Sequence, residues 1–407
     1  MATASAQQQA PETDRKAERA GVSPASQATV PATPDATSAA AAQAGVADPN
    51  VATRAAAAQA GVADPNVATR AAAAQAEVAG PNATRMAVAE TSSPAAAQGA
   101  VPSELRRELD RLKQEHDAVI LAHYYVPPEV QAVADHVGDS FALARLAVDL
   151  PQQTIVLCGV EFMGESAKLL NPAKTVLLPE PAADCPMAHM VRRADVDAAR
   201  AEYGEDLAVV CYVNSTAEIK TWSDVCVTSS NALKICRELP QHHLLFIPDQ
   251  NLGRYVAEQL PEKHVILNKG FCPRHMMIDR NQVEALELAH PEAPVLAHPE
   301  CTEEVLGEAD FIGSTKGIIN FAASHPDISE FIVLTVVGVA AELRRLRPDA
   351  TFYFPATTPT CINMAMVTLP KLLDCLRDSS GHEVEVPEEL APAACLPLER
   401  MLEYSAK

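Results

Sequence analysis

The feature that most constrains how this chain can fold is a pattern that restarts twice. From about residue 118, short β-rich runs alternate with helical segments: AVILAHYY, SFALARLAVDL, TIVLCGV, FMGESAKLLNP and TVLLPE. DLAVVCYVN opens a second unit, continued by HLLFIPD and HVILNKG, and APVLAHPE opens a third, continued by EFIVLTVV and TFYFPA. Regular alternation of helix and strand predicts α/β units built on parallel sheets. Three markers then keep the same register in each unit. The opening strand ends on His123, Tyr212 or His298. An aspartate is followed five residues later by a hydroxyl in DHVGDS, DVCVTS and DFIGST, so that Ser140, Ser229 and Thr315 each lie 17 residues past the first marker. A cysteine follows the last strand at 185, 272 and 361, at separations of 87 and 89 residues. Units of common size would share strand order by chance, but not three markers in register. The expectation is therefore three similar three-layer α/β lobes around a pseudo-threefold axis. Their spans are 101–187, 188–274 and 275–362, and 363–407 forms a helical segment that packs back on the core.

In parallel α/β sheets, ligands bind beyond the carboxyl ends of the strands, where all three markers fall. Lobes packed around one axis would bring those loops to one cavity and give it one thiol from each lobe. This accounts for ten cysteines without a CxxC pair. Three thiolates suit zinc or an iron–sulfur cluster. A structural zinc would want a fourth protein ligand, whereas a 4Fe–4S cube on three cysteines leaves one iron open as a Lewis acid. Taken singly, each cysteine reads as a small buried hydrophobe. That reading is kept for Cys158, Cys211, Cys226, Cys236, Cys375 and Cys395, and with less support for Cys301 after the HPE triplet. Ser140, Ser229 and Thr315 each precede a helical run, so each reads equally as an N-cap or as part of an anion site. His123 with Tyr125, Tyr212 with Asn214, and His298 with Glu300 supply acid–base groups to the same place.

Composition bounds the rest. The first hundred residues carry a 16-residue unit, AGVADPNVATRAAAAQ, twice in tandem and once decayed. Alanines and two valines cannot offset chain entropy, so 1–100 is expected to be a disordered low-complexity tail. Its acidic residues argue against a transit peptide, and neither a signal-peptide core nor a long apolar run is found, which points to a cytoplasmic protein without membrane spans. The formal charge is −21; six basic and eight acidic residues in the first hundred leave −19 on the remainder. So acidic a surface opposes binding to nucleic acid or anionic lipid.

The strings LAHYY, GDS, DCPMAH, CYVNSTAEIKTWSDVCVTSSNA, PDQNLG, AHPECTEEV, GST and TCINMAM resemble the bacterial quinolinate synthase A family over essentially all of 101–407. The resemblance implies a three-lobed fold. It also implies condensation of iminoaspartate with dihydroxyacetone phosphate to quinolinate, with loss of phosphate and two waters, in de novo NAD synthesis. It implies a 4Fe–4S cluster on Cys185, Cys272 and Cys361, and functional coupling to an L-aspartate oxidase. Substrate-binding positions fall on His123, Ser140, Tyr212, Val213, Asn214, Ser229, His298, Pro299, Glu300 and Thr315. Glu300 is expected as general base, Tyr125 and Tyr212 as proton donors, and His123 as an orienting group. His275 matches a family histidine near the cluster. The chain departs from the family pattern at Tyr124, Phe271 and Arg274, and PATTPTC lacks the extra CxxC some members carry before the third ligand. Three rivals remain at this level: another 4Fe–4S dehydratase, a thiol or zinc oxidoreductase, and a non-catalytic binding protein. The oxidoreductase lacks both CxxC and a GxGxxG loop, and the binding protein leaves three registered cysteines idle.

Overall fold

The computed structural model describes residues 101–406. The expected tail, 1–100, lies outside the described residues. The rest contains three parallel four-stranded sheets. The first is built from β1 (Ala118–His123), β2 (His136–Gly138), β3 (Thr154–Cys158) and β4 (Thr175–Leu177). The second uses β5 (Leu207–Tyr212), β6 (Val225–Val227), β7 (His243–Ile247) and β8 (His264–Leu267). The third uses β9 (Val295–Ala297), β10 (Phe311–Ile312), β11 (Glu330–Leu334) and β12 (Thr351–Tyr353). Strand order is β2-β1-β3-β4 in the first, β6-β5-β7-β8 in the second and β10-β9-β11-β12 in the third, the same topology three times. Helices flank the sheets, so the central strands β1 and β5 are buried along their whole length and read as continuous apolar runs.

The repeated aspartate has a structural task. Asp135, Asp224 and Asp310 stand just before the edge strands β2, β6 and β10. Each carboxylate accepts the backbone N–H of a central-strand residue: Ile120 at 2.8 Å, Val209 at 2.7 Å and Val295 at 2.9 Å. Each aspartate N–H returns a bond to the carbonyl of that same residue at 2.9 Å. This reciprocal pair fixes where the edge strand begins against its neighbour. The register in turn sets the hydroxyl five residues later opposite the end of the central strand.

The C-terminal helix Ala391–Ala406 lies against β6 and against the helices Glu161–Leu170, Ala217–Lys220 and Ala232–Glu238, so it bridges the first two sheets. Arg400 donates to the Asp224 carbonyl at 2.7 Å, and Asn231 bonds Ser405 at 3.0 Å. Upstream of it, Leu178 donates to His382 and Val384 to Val176, which clips residues 382–384 onto the edge strand β4.

Candidate active site

The carboxyl ends of the three sheets surround one cavity. It is lined by Cys185, Cys272 and Cys361, by His123, Tyr125, Ser140, Tyr212, Asn214, Ser229, His275, His298, Glu300 and Thr315, and by neighbouring residues both apolar and polar, Asp184 and Arg274 among them. Each sheet contributes a strand-end group, a hydroxyl and a cysteine.

The two strand-end histidines are oriented by one local device. The Tyr125 N–H donates to His123 Nδ1 at 3.1 Å, and the Glu300 N–H donates to His298 Nδ1 at 3.3 Å. In each case Nδ1 is an acceptor, which leaves Nε2 as the N–H of a neutral ring. Burial lowers His123 to about 4, against a smaller opposing effect of Glu300, and lowers His298 to about 3. Both rings are therefore neutral N–H donors at neutral pH. In the second lobe, the Ser215 hydroxyl donates to the Tyr212 carbonyl at 2.9 Å, and the buried Lys220 amine donates to the Ser215 carbonyl. These bonds fix the Tyr212–Asn214 turn.

The hydroxyls join lobes. Ser229 Oγ shares a hydrogen bond with His298 Nε2 at 3.2 Å, and Thr315 Oγ1 with the Tyr125 hydroxyl at 2.7 Å. The second lobe thus touches the third, and the third touches the first. Between the first and second lobes the join runs instead through the Ser230 hydroxyl, which donates to Asp139 at 3.0 Å, and the Ala217 N–H, which donates to Glu165 at 2.9 Å. Asn214 Oδ1 is buried there with no hydrogen-bond partner, and Ser140 lines the same cavity. Helix capping falls to the neighbouring residues. Asp139 accepts from Ala142 at 2.9 Å and Ser314 from Gly317 at 3.1 Å, so Ser140 and Thr315 occupy the first helical position with their hydroxyls free of that duty.

Glu300 is the electrostatic centre. Burial alone would raise its carboxyl, but the adjacent His275, with His298 and the Tyr212 hydroxyl, holds it below the usual carboxylate range. His275 Nδ1 lies 2.7 Å from Glu300 Oε2 and 3.3 Å from Cys272 Sγ, and its ring stacks on His298 at 4.8 Å between centroids. Burial and the Glu300 charge push Tyr125 and Tyr212 well above the ordinary phenol value, so both stay protonated. Burial raises the Cys185 thiol to about 12, and an ionised Cys361 would raise it further. Cys272 is raised by burial, then by Glu300 and Cys185. Cys272, His275 and Glu300 also offer ligand atoms within 4.8 Å of one another.

A model of the family described as quinolinate synthetase A protein matches residues 107–403. The chain belongs to the quinolinate synthase family. It is 48% identical over 301 residues to a quinolinate synthase of Fusobacterium nucleatum, covering 74% of this chain and 99% of the relative. It is 47% identical over 299 residues to one from Caldicellulosiruptor bescii, covering 74% and 98%. It is 44% identical over 307 residues to one from Aquifex aeolicus, covering 74% and 94%.

For a quinolinate synthase family member, the expected residues do not all fall in one place. Val213 and Pro299 do not face the central cavity. Val213 is buried beside Ser140 around a smaller void, and Pro299 lines an adjoining groove that shares Asp139, Phe141, Ser229 and Ser230 with the cavity. Two groups escaped the sequence reading. Asp249 accepts the Cys272 N–H at 3.1 Å and caps its own helix through Leu252 at 2.7 Å. Thr335 contacts both Tyr125 and His275. Both follow the third strand of a lobe, β7 or β11. A polar residue just after an apolar strand is the sequence signal that both share with the strand-end groups of the opening strands.

Among the described residues, no helix is long and apolar enough to cross a membrane.

Proposed function

We propose that this cavity is where the chain, as a member of the quinolinate synthase family, closes the pyridine ring of quinolinate from iminoaspartate and dihydroxyacetone phosphate. The observation that carries this reading is the convergence of three cysteines and the acid–base set, from three lobes, on one cavity. We take 101–187, 188–274 and 275–362 as the three lobes and 363–407 as the strap over the first two.

Cys185, Cys272 and Cys361 would hold a 4Fe–4S cluster. The donor chemistry supports it: three soft ligands share one cavity, and none is in a disulfide. Burial resists their ionisation, so a cation among them is what would stabilise thiolates there. When bound, the cluster's fourth iron supplies Lewis acidity toward a substrate oxygen.

The remaining work belongs to side chains. Each dehydration removes a proton from carbon and delivers one to a departing oxygen. Glu300 is ionised at neutral pH and accepts the first proton at its carboxylate. Tyr125 and Tyr212, kept as phenols, donate the second, and Tyr212 is reprotonated by the Glu300 to which it is hydrogen-bonded. His123 and His298 present Nε2–H to orient substrate oxygens. Ser140, Ser229 and Thr315 hold carboxylate or phosphate through their hydroxyls. The unpartnered Asn214 Oδ1 is an acceptor and supports a donor group on the substrate, a hydroxyl or the imine N–H, at that place. Val213 and Pro299 act through backbone and shape. The reaction takes place in the cytoplasm, coupled in function to an L-aspartate oxidase that supplies the unstable imine.

A second reading has one observation in its favour: the Cys272, His275 and Glu300 group could hold a single metal ion. One experiment separates the two. Protein purified anaerobically is assayed for iron, sulfide and zinc, and for quinolinate from the two substrates. About four irons and four sulfides per chain with product supports the cluster; one metal without sulfide supports the second reading; no product overturns the function.

A further inference from the structure

The groove that adjoins the cavity has no part in the chemistry assigned above. Its volume is about 830 Å³, within the range of roughly 300 to 1,000 Å³ usual for small-molecule sites. All three lobes wall it: β2 and the helix Ser140–Asp149, the Ser229–Ser230 turn, and Pro299 with the start of the helix Thr315–Ser324. Asp139, Phe141, Ser229 and Ser230 belong to groove and cavity alike, whereas none of the three cavity cysteines lines the groove. The two hollows therefore meet at the hydroxyl end of the site.

The groove also runs against the acidity of the chain, whose formal charge is −21. Arg145 and Lys316 stand exposed on its walls, and among the described residues neither has an ion-pair partner. Of the three aspartates there, two are committed. Asp135 pairs with Lys113 and accepts the Ile120 N–H. Asp139 caps its helix through Ala142 and accepts from the Ser230 hydroxyl at 3.0 Å. Only Asp149 is left to oppose the two cations, and it lies at the far end of its helix. Each cation sits on a helix whose first residue is one of the anion-holding hydroxyls: Arg145 five residues after Ser140, and Lys316 next to Thr315. In the second lobe the position matching Arg145 is Lys234, which donates to the Ser405 carbonyl at 3.2 Å and stands outside the groove. The C-terminal helix thus takes the cation of the second lobe, and free positive charge faces the groove from the first and third.

We propose that this groove is the vestibule through which dianionic substrates reach the cavity, with Arg145 and Lys316 drawing small dicarboxylates and phosphate monoesters toward Ser140, Ser229 and Thr315. The inference rests on the substrates assigned above, each carrying about two negative charges at neutral pH. A chain this acidic repels such molecules, and two unpaired cations at the approach offset that repulsion locally. Salt screens exposed charges beyond about 8 Å under physiological conditions, so the pair acts on the approach and leaves the bond-making steps alone.

The test measures kcat and KM for dihydroxyacetone phosphate on the cluster-loaded full chain, from low ionic strength to about 0.5 M. It compares the double variant Arg145→Gln with Lys316→Gln, which removes both charges, and Arg145→Lys with Lys316→Arg, which keeps them. The Gln pair is expected to lose about 5- to 10-fold in kcat/KM at low salt, with kcat within about twofold of wild type. It should also lose most of the salt dependence that wild type shows. The charge-keeping pair should match wild type in both respects. An unchanged kcat/KM in the Gln pair, or a salt dependence as steep as that of wild type, would overturn the proposal. So would a loss confined to kcat, or an equal loss in the charge-keeping pair, since either marks packing rather than charge. Both side chains are exposed, so melting temperature and iron content should stay at wild-type values; a fall in either counts against the proposal. Absence of quinolinate from wild type would refute the function itself, whereas the other outcomes, read with an active wild type, refute the vestibule alone.

Discussion

At the scale of the residue, the site works by holding groups in fixed protonation states rather than by exposing reactive ones. Glu300 is a buried carboxylate that stays ionised because His275 faces it at 2.7 Å. Replacing it by Gln keeps the volume and removes the base. Glu300→Gln is expected to retain iron and sulfide while losing quinolinate formation by at least about 100-fold, measured as product per unit of bound iron. His123 gives a pH dependence with a definite sign. Its folded value is about 4 against 6.5 for a free imidazole, so between those limits the unfolded chain binds a proton that the folded chain refuses. Stability is then complete above pH 6.5 and falls as pH drops toward 4, by about 3 kcal/mol at most for this group. Thermal melting from pH 7 to 4 should show a steeper fall in wild type than in His123→Asn; parallel curves would contradict the assignment. His298, lowered further by burial, keeps some slope in both.

At the scale of the element, the carboxyl ends of parallel strands do the positioning, and much of that was legible. Period and run length gave three strands per lobe but not the short edge strands β2, β6 and β10, whose two or three residues lie inside the aspartate–hydroxyl markers. The recurrence of His123, Tyr212 and His298 with Ser140, Ser229 and Thr315 pointed to one shared cavity, where the structure gathers them. What escaped depends on contacts between elements. The aspartate marker was visible, but not its bond to a strand 15 residues back. Capping by Asp139 and Ser314, one residue before the hydroxyls, depends on where the helix axis starts. Thr335 and Asp249 gain meaning only from the Tyr125 hydroxyl and the Cys272 backbone N–H, 210 and 23 residues distant. Val213 and Pro299 share a loop with true cavity residues, and their neighbours point the other way. Gly338 is a further case, since only the folded chain brings it against Tyr125. Gly338→Ala is expected to push that turn away from Tyr124 and Tyr125, lowering kcat about tenfold or more while leaving the iron content intact. Unchanged kinetics would show that the turn relaxes freely.

At the scale of the whole molecule, one feature organises the rest. Three lobes of the same strand order each send a strand end, a hydroxyl and a cysteine to a common centre, and bonds such as Ser229 to His298 and Thr315 to Tyr125 close the seams. The other seven cysteines are elsewhere: six are fully buried, and Cys395 bonds the Leu169 carbonyl at 3.3 Å. The division of labour among ten thiols is thus the central claim, and iron and sulfide content tests it most directly. Cys185→Ala, Cys272→Ala, Cys361→Ala and the control Cys375→Ala are purified anaerobically and compared with wild type. The account predicts about four irons and four sulfides in wild type and Cys375→Ala, and loss of the cluster from each of the other three. A full cluster in any of those three, or equal loss from Cys375→Ala, would contradict it.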